Sequence, residues 1–373
     1  MRIKILWLAV IVTVVVLCGD GCHGGKNHPH PPSPQPGTNA TSPVFTLVEW
    51  PDVHPDFSTY QIYATNAVPW FLAHTNDGVL NCRIACFHGD NYESQKAWVA
   101  TNDTNTVFAQ PYHGFMFTND VRKLRDAGIL TYLADGNHDA DNTNGIVGWC
   151  TTTTNLWNSV FPPEFFNTQS FYVTSRFAGD NKQMVMVYTN GNLKLLLISY
   201  HSEPDTNAPP LTYLPQSLWI SNQIAAYPDH NAIILTHYML STNLVPEYSD
   251  GSPTYHNIGP GPVPFIHGLQ NLSNLCLFLT GHNVALQKGS FLTNGPDGHP
   301  IRVCEFNTQA GPRNTDFLNL FTFDPAQGTV LNRTYCISLD RYLTNYETSS
   351  GFTNTTFRNG YPHTWTMPLP IKP

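Results

Sequence analysis

Residues that commonly bind metal ions follow five separate apolar runs of the sequence. An Asp-x-His triplet comes after the first run, and the later runs are followed by Gly-Asp, Gly-Asn-His-Asp, a single His and Gly-His. Carboxylate, imidazole and amide groups suit Mn, Fe, Zn or Mg, and these motifs contain no thiolate that would favour a softer metal. In chain order, the candidate residues are Asp52, His54, Asp90, Asn137, His138, Asp139, His237 and His282.

The apolar runs that precede these motifs are predicted to be β-strands, because they are short and rich in β-branched and aromatic residues. Helices are predicted at 94–99, 120–127 and 215–226, and the second of these is predicted to stop at Gly128. Strands and helices alternate at first and consecutive strands follow later, which predicts an α/β fold with mixed sheets. The predicted strands are 44–48, 83–87, 129–133, 195–199, 232–236, 275–279, 301–306, 317–323 and 330–336.

The position of the motifs at strand ends indicates one shared site. In α/β sheets, ligands bind outside the carboxyl ends of the strands. One polar strand end would mean little, but five in one domain predict a single polynuclear metal site. Asp90 stands alone after a glycine, so it is the natural carboxylate to bridge two cations. Two metals about 3.5–4 Å apart would clamp both the phosphoryl oxygens and an attacking hydroxide.

The five motifs resemble, in the same order, those of calcineurin-like metallophosphoesterases, and the resemblance extends roughly over 44–342. Gly-Asn-His-Asp at 136–139 is the most specific of them, and the segment from Trp219 to His237 is similar to secreted bacterial members. The resemblance implies a four-layer α/β/β/α sandwich with two mixed β-sheets. It also implies hydrolysis of phosphoric mono- or diesters by a metal-bound hydroxide at a dinuclear site.

The resemblance further implies a role for each candidate residue. His138 would protonate the leaving oxygen or stabilise the transition state, and Asp139 would orient its ring, since a carboxylate partner fixes the imidazole tautomer. Two divalent metal ions would neutralise the phosphoryl charge. The implied metal ligands are Asp52 and His54 at the first metal, Asp90 between the two, and Asn137, His237 and His282 at the second.

The last motif departs from the family pattern. The family has Gly-His-x-His, whose second His binds the first metal, whereas Val284 occupies that position here. Valine cannot bind a metal, so the first site would be weaker unless another residue substitutes. This departure keeps open a second reading, a catalytically degenerate member that acts as a metal- or ligand-binding envelope protein. The candidate substitutes are Asn283, His256, His267 and His299.

The ends of the chain predict an exported protein with flexible tails. Residues 1–22 have a basic start and a short apolar core, which is typical of a signal peptide, and Cys18 and Cys22 leave lipid anchoring open. A Pro-, Gly- and His-rich linker is predicted at 23–43, a metallophosphoesterase domain at 44–345, and a loop-like tail at 346–373. The expected location is therefore the periplasm, the cell envelope as a lipoprotein, or the extracellular space, with membrane attachment by a lipid anchor only.

The net charge of the chain indicates which class of partner to expect. The net charge is −8 and there is no run of Lys and Arg, so a nucleic-acid partner is not expected. The expected partner is a small phosphoester, because bound metals can supply positive charge locally. A mononuclear hydrolase of non-phosphate esters is a further alternative with the same ligands.

Cys82, Cys86 and Cys276 lie in or beside apolar runs and are predicted to be buried thiols.

Overall fold

The computed structural model describes thirteen stretches of the chain and places them in two β-sheets with a small number of helices. The first 42 residues and the segments between these stretches are not described. The described residues are 43–50, 66–89, 91, 119–136, 139, 161–177, 180–200, 214–237, 269, 271–282, 288–307, 317–343 and 364–371.

The first sheet, sheet A, has seven strands in the order β13-β12-β11-β1-β2-β3, with β14 paired to β12. β1, β2 and β3 are parallel to one another, and β11 runs antiparallel to β1. The strands of sheet A are β1 (Phe45–Trp50), β2 (Cys82–Phe87), β3 (Leu130–Leu133), β11 (Phe317–Asp324), β12 (Thr329–Cys336), β13 (Arg341–Tyr342) and β14 (Thr364–Pro368).

The second sheet, sheet B, also has seven strands, in the order β4-β5-β6-β7-β8-β10-β9. β6, β7, β8 and β10 are parallel, whereas the three pairs β4-β5, β5-β6 and β9-β10 are antiparallel. The strands of sheet B are β4 (Tyr172–Phe177), β5 (Asp180–Asn190), β6 (Leu193–Ser199), β7 (Asn231–Leu235), β8 (Leu275–Thr280), β9 (Lys288–Asn294) and β10 (Pro300–Phe306).

The two sheets pack against each other through one buried apolar cluster. Phe45 of β1 and Tyr188 of β5 bring their ring centroids to 4.9 Å across this interface. The parallel strands are buried on both faces, which explains why β7 and β8 read as continuous apolar runs rather than as alternating ones. A helix that covers the other face of sheet B contributes Ile220 and Ile224 to a second cluster.

The described helices are short, and each follows from its local sequence. α1 is Val68–Ala73, α2 covers 119–126, α3 is Pro163–Asn167 and α4 is Leu214–Ala226. Gly128 ends α2 with a φ of +77°, and its N–H donates to the carbonyl of Arg125 at 2.8 Å. Glycine is the residue that adopts this left-handed turn without steric cost.

Most of the predicted elements are confirmed to within two residues at each end. The structure adds β4, β5, β9, β13 and β14, which were not predicted. Thr364–Pro368 forms β14 and pairs with β12, so the prediction of loop structure throughout 346–373 is wrong in this segment. Its exposed and buried side chains alternate, and such a short edge strand gives a weak sequence signal. The predicted helix at 94–99 lies outside the described residues.

The two mixed sheets confirm the α/β class, and the four-layer arrangement stays a prediction. Cys82, Cys86, Cys276, Cys304 and Cys336 are buried free thiols, which confirms the expectation for the first three. Within the described stretches, no helix has both the length and the hydrophobicity to cross a membrane.

Candidate functional site

The carboxyl ends of the parallel strands of both sheets meet at one place. In sheet A, β1, β2 and β3 end side by side at Trp50, Phe87 and Leu133. His237 lies two residues beyond the end of β7 in sheet B, and its Nδ1 is 3.0 Å from the carbonyl oxygen of His88, which directly follows β2. A side chain that follows a strand of sheet B therefore contacts the backbone that follows a strand of sheet A, as a site shared by the two sheets requires.

His237 and His282, two of the predicted metal ligands, are brought into direct contact. Nδ1 of His282 is 2.9 Å from Nε2 of His237, and the rings are nearly perpendicular, with centroids 4.8 Å apart. His237 is almost fully buried at 1% exposure, and His282 is partly exposed. The backbone supports the pair, because Gly281 donates its N–H to the carbonyl of His237 at 2.8 Å.

The hydrogen bonds of His237 assign its tautomer. A carbonyl oxygen can only accept, so Nδ1 of His237 carries the proton and donates it to His88. In the neutral ring, Nε2 then has a lone pair that points towards His282. A histidine that binds a metal typically donates its other ring N–H to a backbone carbonyl in this way.

The distance between the two imidazoles fits a shared metal ion. Two nitrogens that bind one metal ion each lie about 2.0–2.1 Å from it, so two nitrogens within roughly 4 Å of each other could share the ion. The observed separation of the two nitrogens is 2.9 Å. Without a metal, His282 donates a proton from Nδ1 to His237, and metal binding requires that this proton move to Nε2 of His282 or leave.

Two glycines allow the close approach of these histidine rings. A Cβ at Gly281 would stand 2.1 Å from Cε1 of His88, and a Cβ at Gly89 would stand 2.4 Å from Nδ1 of His237. Gly89 also has a φ of +115°, which side chains rarely adopt. The glycine of each Gly-Asp and Gly-His motif therefore makes room for a histidine from another strand end.

The turn after β3 is fixed by the carboxylate of Asp139. Its Oδ2 accepts the N–H of Gly136 at 2.9 Å and Nδ2 of Asn91 at 2.9 Å, and the side chain is 1% exposed. Asn91 also donates to the carbonyl of Ala134 at 2.8 Å. These bonds join Asn91, which lies beyond the end of β2, to the backbone after β3 and to Asp139, the last residue of the Gly-Asn-His-Asp motif.

A buried polar network lies between the sheets, beginning at Glu49, one residue before the end of β1. Nδ2 of Asn319 donates to Oε2 of Glu49 at 2.6 Å, and Nζ of Lys288 in sheet B donates to Oδ1 of Asn319 at 3.1 Å and to Thr334 at 2.6 Å. Burial raises the pKa of Glu49 to about 8, against the lowering effects of Asn319 and Lys288. Burial also lowers the pKa of Lys288 to about 7.

The described residues hold only part of the predicted site. Asp139, His237 and His282 lie within them, and the two histidines converge as predicted. Among these residues no group of three or more His, Cys, Asp or Glu side chains could hold a metal ion by itself. The predicted residues outside the described stretches are Asp52, His54, Asp90, Asn137 and His138, together with Val284.

One suggested substitute for the missing histidine is excluded by its position. His299 immediately precedes β10, and its Nε2 contacts the carbonyl of Leu275 at the start of β8 at 2.8 Å. Its Nδ1 contacts Asp297. His299 therefore lies at the amino ends of the parallel strands, at the opposite edge of the sheet. His256, His267 and Asn283 lie outside the described residues.

Several supporting residues were not assigned a role from the sequence. All of them depend on contacts between distant strands. They are the carbonyl and ring of His88, the amide of Asn91, and the buried ion pair of Asp135 and Lys182. Asn91 lies inside a recognised motif, and His88 lies next to it, so proximity to the motif was the available signal. Lys182 had no such signal, because it lies in a strand that was not predicted.

Comparison with known proteins assigns the chain to no family. No family model matches the chain, and no curated protein matches it. Similar solved structures include GAP50, the anchor in the inner membrane complex of Plasmodium, with 10% identity, a TM-score of 0.39, and coverage of 82% of this chain and 87% of that chain. Another is a phosphatase from Mycoplasma pneumoniae, with 10% identity, a TM-score of 0.36, and coverage of 81% and 92%. Likeness at these TM-scores carries no argument about activity.

Proposed function

We propose that this chain is a metal-dependent phosphoesterase that hydrolyses phosphoric mono- or diesters at a dinuclear site. The observation that carries the proposal is the geometry of His237. Its Nδ1 donates to a backbone carbonyl of sheet A, and its Nε2 meets a second imidazole nitrogen at 2.9 Å. This arrangement suits a metal ligand, because a histidine that binds a metal typically donates its other ring N–H to a backbone carbonyl, and a second imidazole lies beside the remaining nitrogen.

The donor set supports a hard or borderline divalent metal such as Mn, Fe, Zn or Mg. His237 and His282 would hold one metal together with Asn137 and Asp90, and Asp52 and His54 would hold the other. Bound metals supply positive charge that stabilises the phosphoryl group and activates a water. We propose the four-layer sandwich as the architecture that carries this site.

The turn at 136–139 would supply the proton chemistry. Oδ2 of Asp139 accepts hydrogen bonds from Gly136 and from Asn91, so the residues on either side of Asn137 and His138 are anchored to each other and to the end of β2. From this segment, His138 would donate a proton to the leaving oxygen. A positioned general acid typically contributes about 10²–10⁴-fold to the rate. Asp139 would act both as the anchor of the turn and as the partner that orients the ring.

Val284 favours a second candidate, a catalytically degenerate member that binds a metal or a ligand at the cell envelope. In this reading His237 and His282 still hold one metal ion, but the first metal site is empty or weak. The same export signal at 1–22 serves both candidates, and we propose an extracytoplasmic location for either one.

Metal content and ester turnover on one preparation separate the two candidates. We expect about two metal ions per chain and hydrolysis of aryl phosphate mono- or diesters with added Mn. Asp90→Asn and His237→Gln should lose metal and turnover, whereas His138→Gln should keep the metal and lose turnover. His299→Gln is the matched control and should keep both, because it lies at the opposite edge of the sheet. One metal or none, with no turnover of any ester, would establish the binding protein instead.

A further inference from the structure

A buried ion pair joins the two sheets at the edge where the candidate ligands gather. Nζ of Lys182 in β5 is 3.4 Å from Oδ2 of Asp135, which follows β3. The two side chains are only 6% and 1% exposed. Neither residue belongs to the metal ligands or to the proton donor proposed above.

The strand registers place this pair level with the site. Phe87 pairs with Leu133, so Asp135 lies two residues beyond the paired end of β3, level with Gly89. The N–H of Met184 donates to Oγ of Ser199 at 3.0 Å, which brings the start of β5 beside the end of β6. β5 runs antiparallel to β6, so Lys182, two residues before Met184, lies towards the edge at which β6 ends.

Asp135 lies between two residues that are held by hydrogen bonds, Ala134 and Gly136. The residue before it, Ala134, donates its N–H to Phe87 at 2.9 Å and accepts from Asn91 at 2.8 Å. The residue after it, Gly136, donates to Asp139 at 2.9 Å. These bonds attach the turn to sheet A, and the contact with Lys182 attaches it to sheet B.

Stability alone does not account for such a pair. Removing two charges from water costs so much that a buried ion pair is often no more stabilising than packed apolar residues of the same volume. In some proteins a buried pair contributes a fixed geometry, because an unpaired charge there is strongly unfavourable and alternative arrangements are therefore disfavoured. The turn that carries His138 is where such a restriction would matter.

We propose that Lys182 and Asp135 are positioning residues that hold Gly136 and Asp139, the two ends of the segment that carries His138, at a fixed distance from sheet B. Lys182 acts through Asp135, and Asp135 acts through the backbone of the turn, so neither touches the substrate. This inference rests on the proposed function in one respect only, that the turn presents His138 to a phosphoester. The ion pair and its effect on the turn can be measured without any substrate.

The first test is kinetic, on the full metal-loaded protein with an aryl phosphate. Lys182→Met should lower kcat by on the order of 10²-fold, because a shift of about 1 Å at a catalytic group has this effect. KM and metal content should change little. Lys182→Arg should restore most of kcat, since a guanidinium keeps the ion pair. Lys194→Met is the matched control, because Lys194 pairs with Asp229 at the opposite edge of the same sheet and both are exposed.

The second test measures the turn directly by hydrogen exchange of the peptide that covers 130–139. Exchange should be faster in Lys182→Met than in the wild type and unchanged in Lys194→Met. If Lys182→Met does not fold, Asp135→Glu replaces it, because this variant keeps both charges and displaces the carboxylate by one methylene. It should still unfold cooperatively in urea while kcat falls.

The outcomes keep the two proposals apart. A wild type without any turnover refutes the phosphoesterase, and the exchange measurement then decides the positioning role alone. An active wild type whose Lys182→Met and Asp135→Glu variants keep full kcat overturns the positioning role. Unchanged exchange at 130–139 overturns it as well, whatever the activity. A loss of kcat that Lys182→Arg does not restore also overturns it, because the ion pair would then not be the cause.

Discussion

Replacing Glu49 by Gln should remove a large pH-dependent part of the stability of this protein. Glu49 is fully buried between the sheets and accepts a hydrogen bond from Asn319 at 2.6 Å. Gln has nearly the same shape and keeps an oxygen that can accept this bond, so the substitution removes the titration and little else. The experiment therefore isolates the ionisation of one buried carboxyl.

The size of the effect follows from the pKa in the two states. Burial raises the pKa of Glu49 from 4.5 to about 8, so the folded state holds a proton that the unfolded state has released. Its contribution to stability is complete below the unfolded pKa and is lost as the pH rises through the folded pKa. A change of this size corresponds to roughly 5 kcal/mol in total. Between about pH 5.5 and pH 7 the expected loss is about 2 kcal/mol.

Lys288 contributes with the opposite slope. Burial lowers its pKa from 10.5 to about 7, so its contribution to stability is complete above the unfolded pKa and is lost as the pH falls through the folded pKa. The contribution of Glu49 to the free energy of unfolding therefore falls as the pH rises towards about 8. The contribution of Lys288 increases as the pH rises above about 7. Together the two groups predict a minimum of stability between about pH 7 and pH 8.

Urea unfolding at several pH values measures both slopes, because the extrapolated free energy of unfolding can be compared between variants at each pH. The free energy of Glu49→Gln relative to the wild type should become more favourable by about 2 kcal/mol from about pH 5.5 to pH 7. Lys288→Met should abolish the recovery of stability above about pH 8. Glu164→Gln, which changes an exposed carboxylate in α3, is the control and should show no such trend.

A constant difference between Glu49→Gln and the wild type across this pH range would refute the reasoning. It would mean that Glu49 has the same protonation in the folded and unfolded states, so burial would not govern its pKa. A trend of the opposite sign would mean that the carboxylate is stabilised as an ion, with Lys288 as a charged partner.

Three further predictions concern the residues around the two histidines. Gly281→Ala should displace His88 and weaken metal binding, measured as metal content after dialysis, whereas Gly128→Ala, with no atom within 4 Å of its Cβ, should keep the metal. Asn91→Ala should lower the free energy of unfolding in urea by roughly 1–3 kcal/mol, because it leaves a buried carboxylate and a buried carbonyl without this donor. His282→Gly should lower the metal content, because it removes the imidazole that lies 2.9 Å from Nε2 of the buried His237. Retained metal in Gly281→Ala would contradict the first of these predictions, and an unchanged unfolding midpoint in Asn91→Ala would contradict the second. Undiminished metal in His282→Gly would contradict the third.

The strands that carry the site could be predicted from sequence because their signal is local. β7 and β8 are buried on both faces, so they read as continuous apolar runs that end at a polar residue. The convergence of His237 and His282 followed from the rule that parallel strands end at one edge. The edge strands β4 and β14 lacked such a signal, because their side chains are only partly buried or alternate in exposure.

The contacts between the sheets could not be predicted, because they join residues far apart in sequence. Asn319 and Glu49 are 270 positions apart, and His237 and His88 are 149 positions apart. A single sequence gives no information on which polar side chains will face each other across two packed sheets. For the same reason the sequence left His299 open as a metal ligand until its place at the opposite edge excluded it.

Several features that oppose stability in this fold lie at the carboxyl edge of the parallel strands, although Gly295 makes the same close approach to the ring of His299 at the opposite edge. His282 has a left-handed backbone, two glycines give up side chains for close contact with histidine rings, and Lys182 and Asp135 bury opposite charges. The other described non-glycine residues with positive φ are an Asn and an Asp, which tolerate this conformation in turns. Natural proteins break local rules mainly where function demands it and compensate elsewhere. The apolar interior of both sheets provides that compensation, so the carboxyl edge is where the chemistry of this chain should be sought.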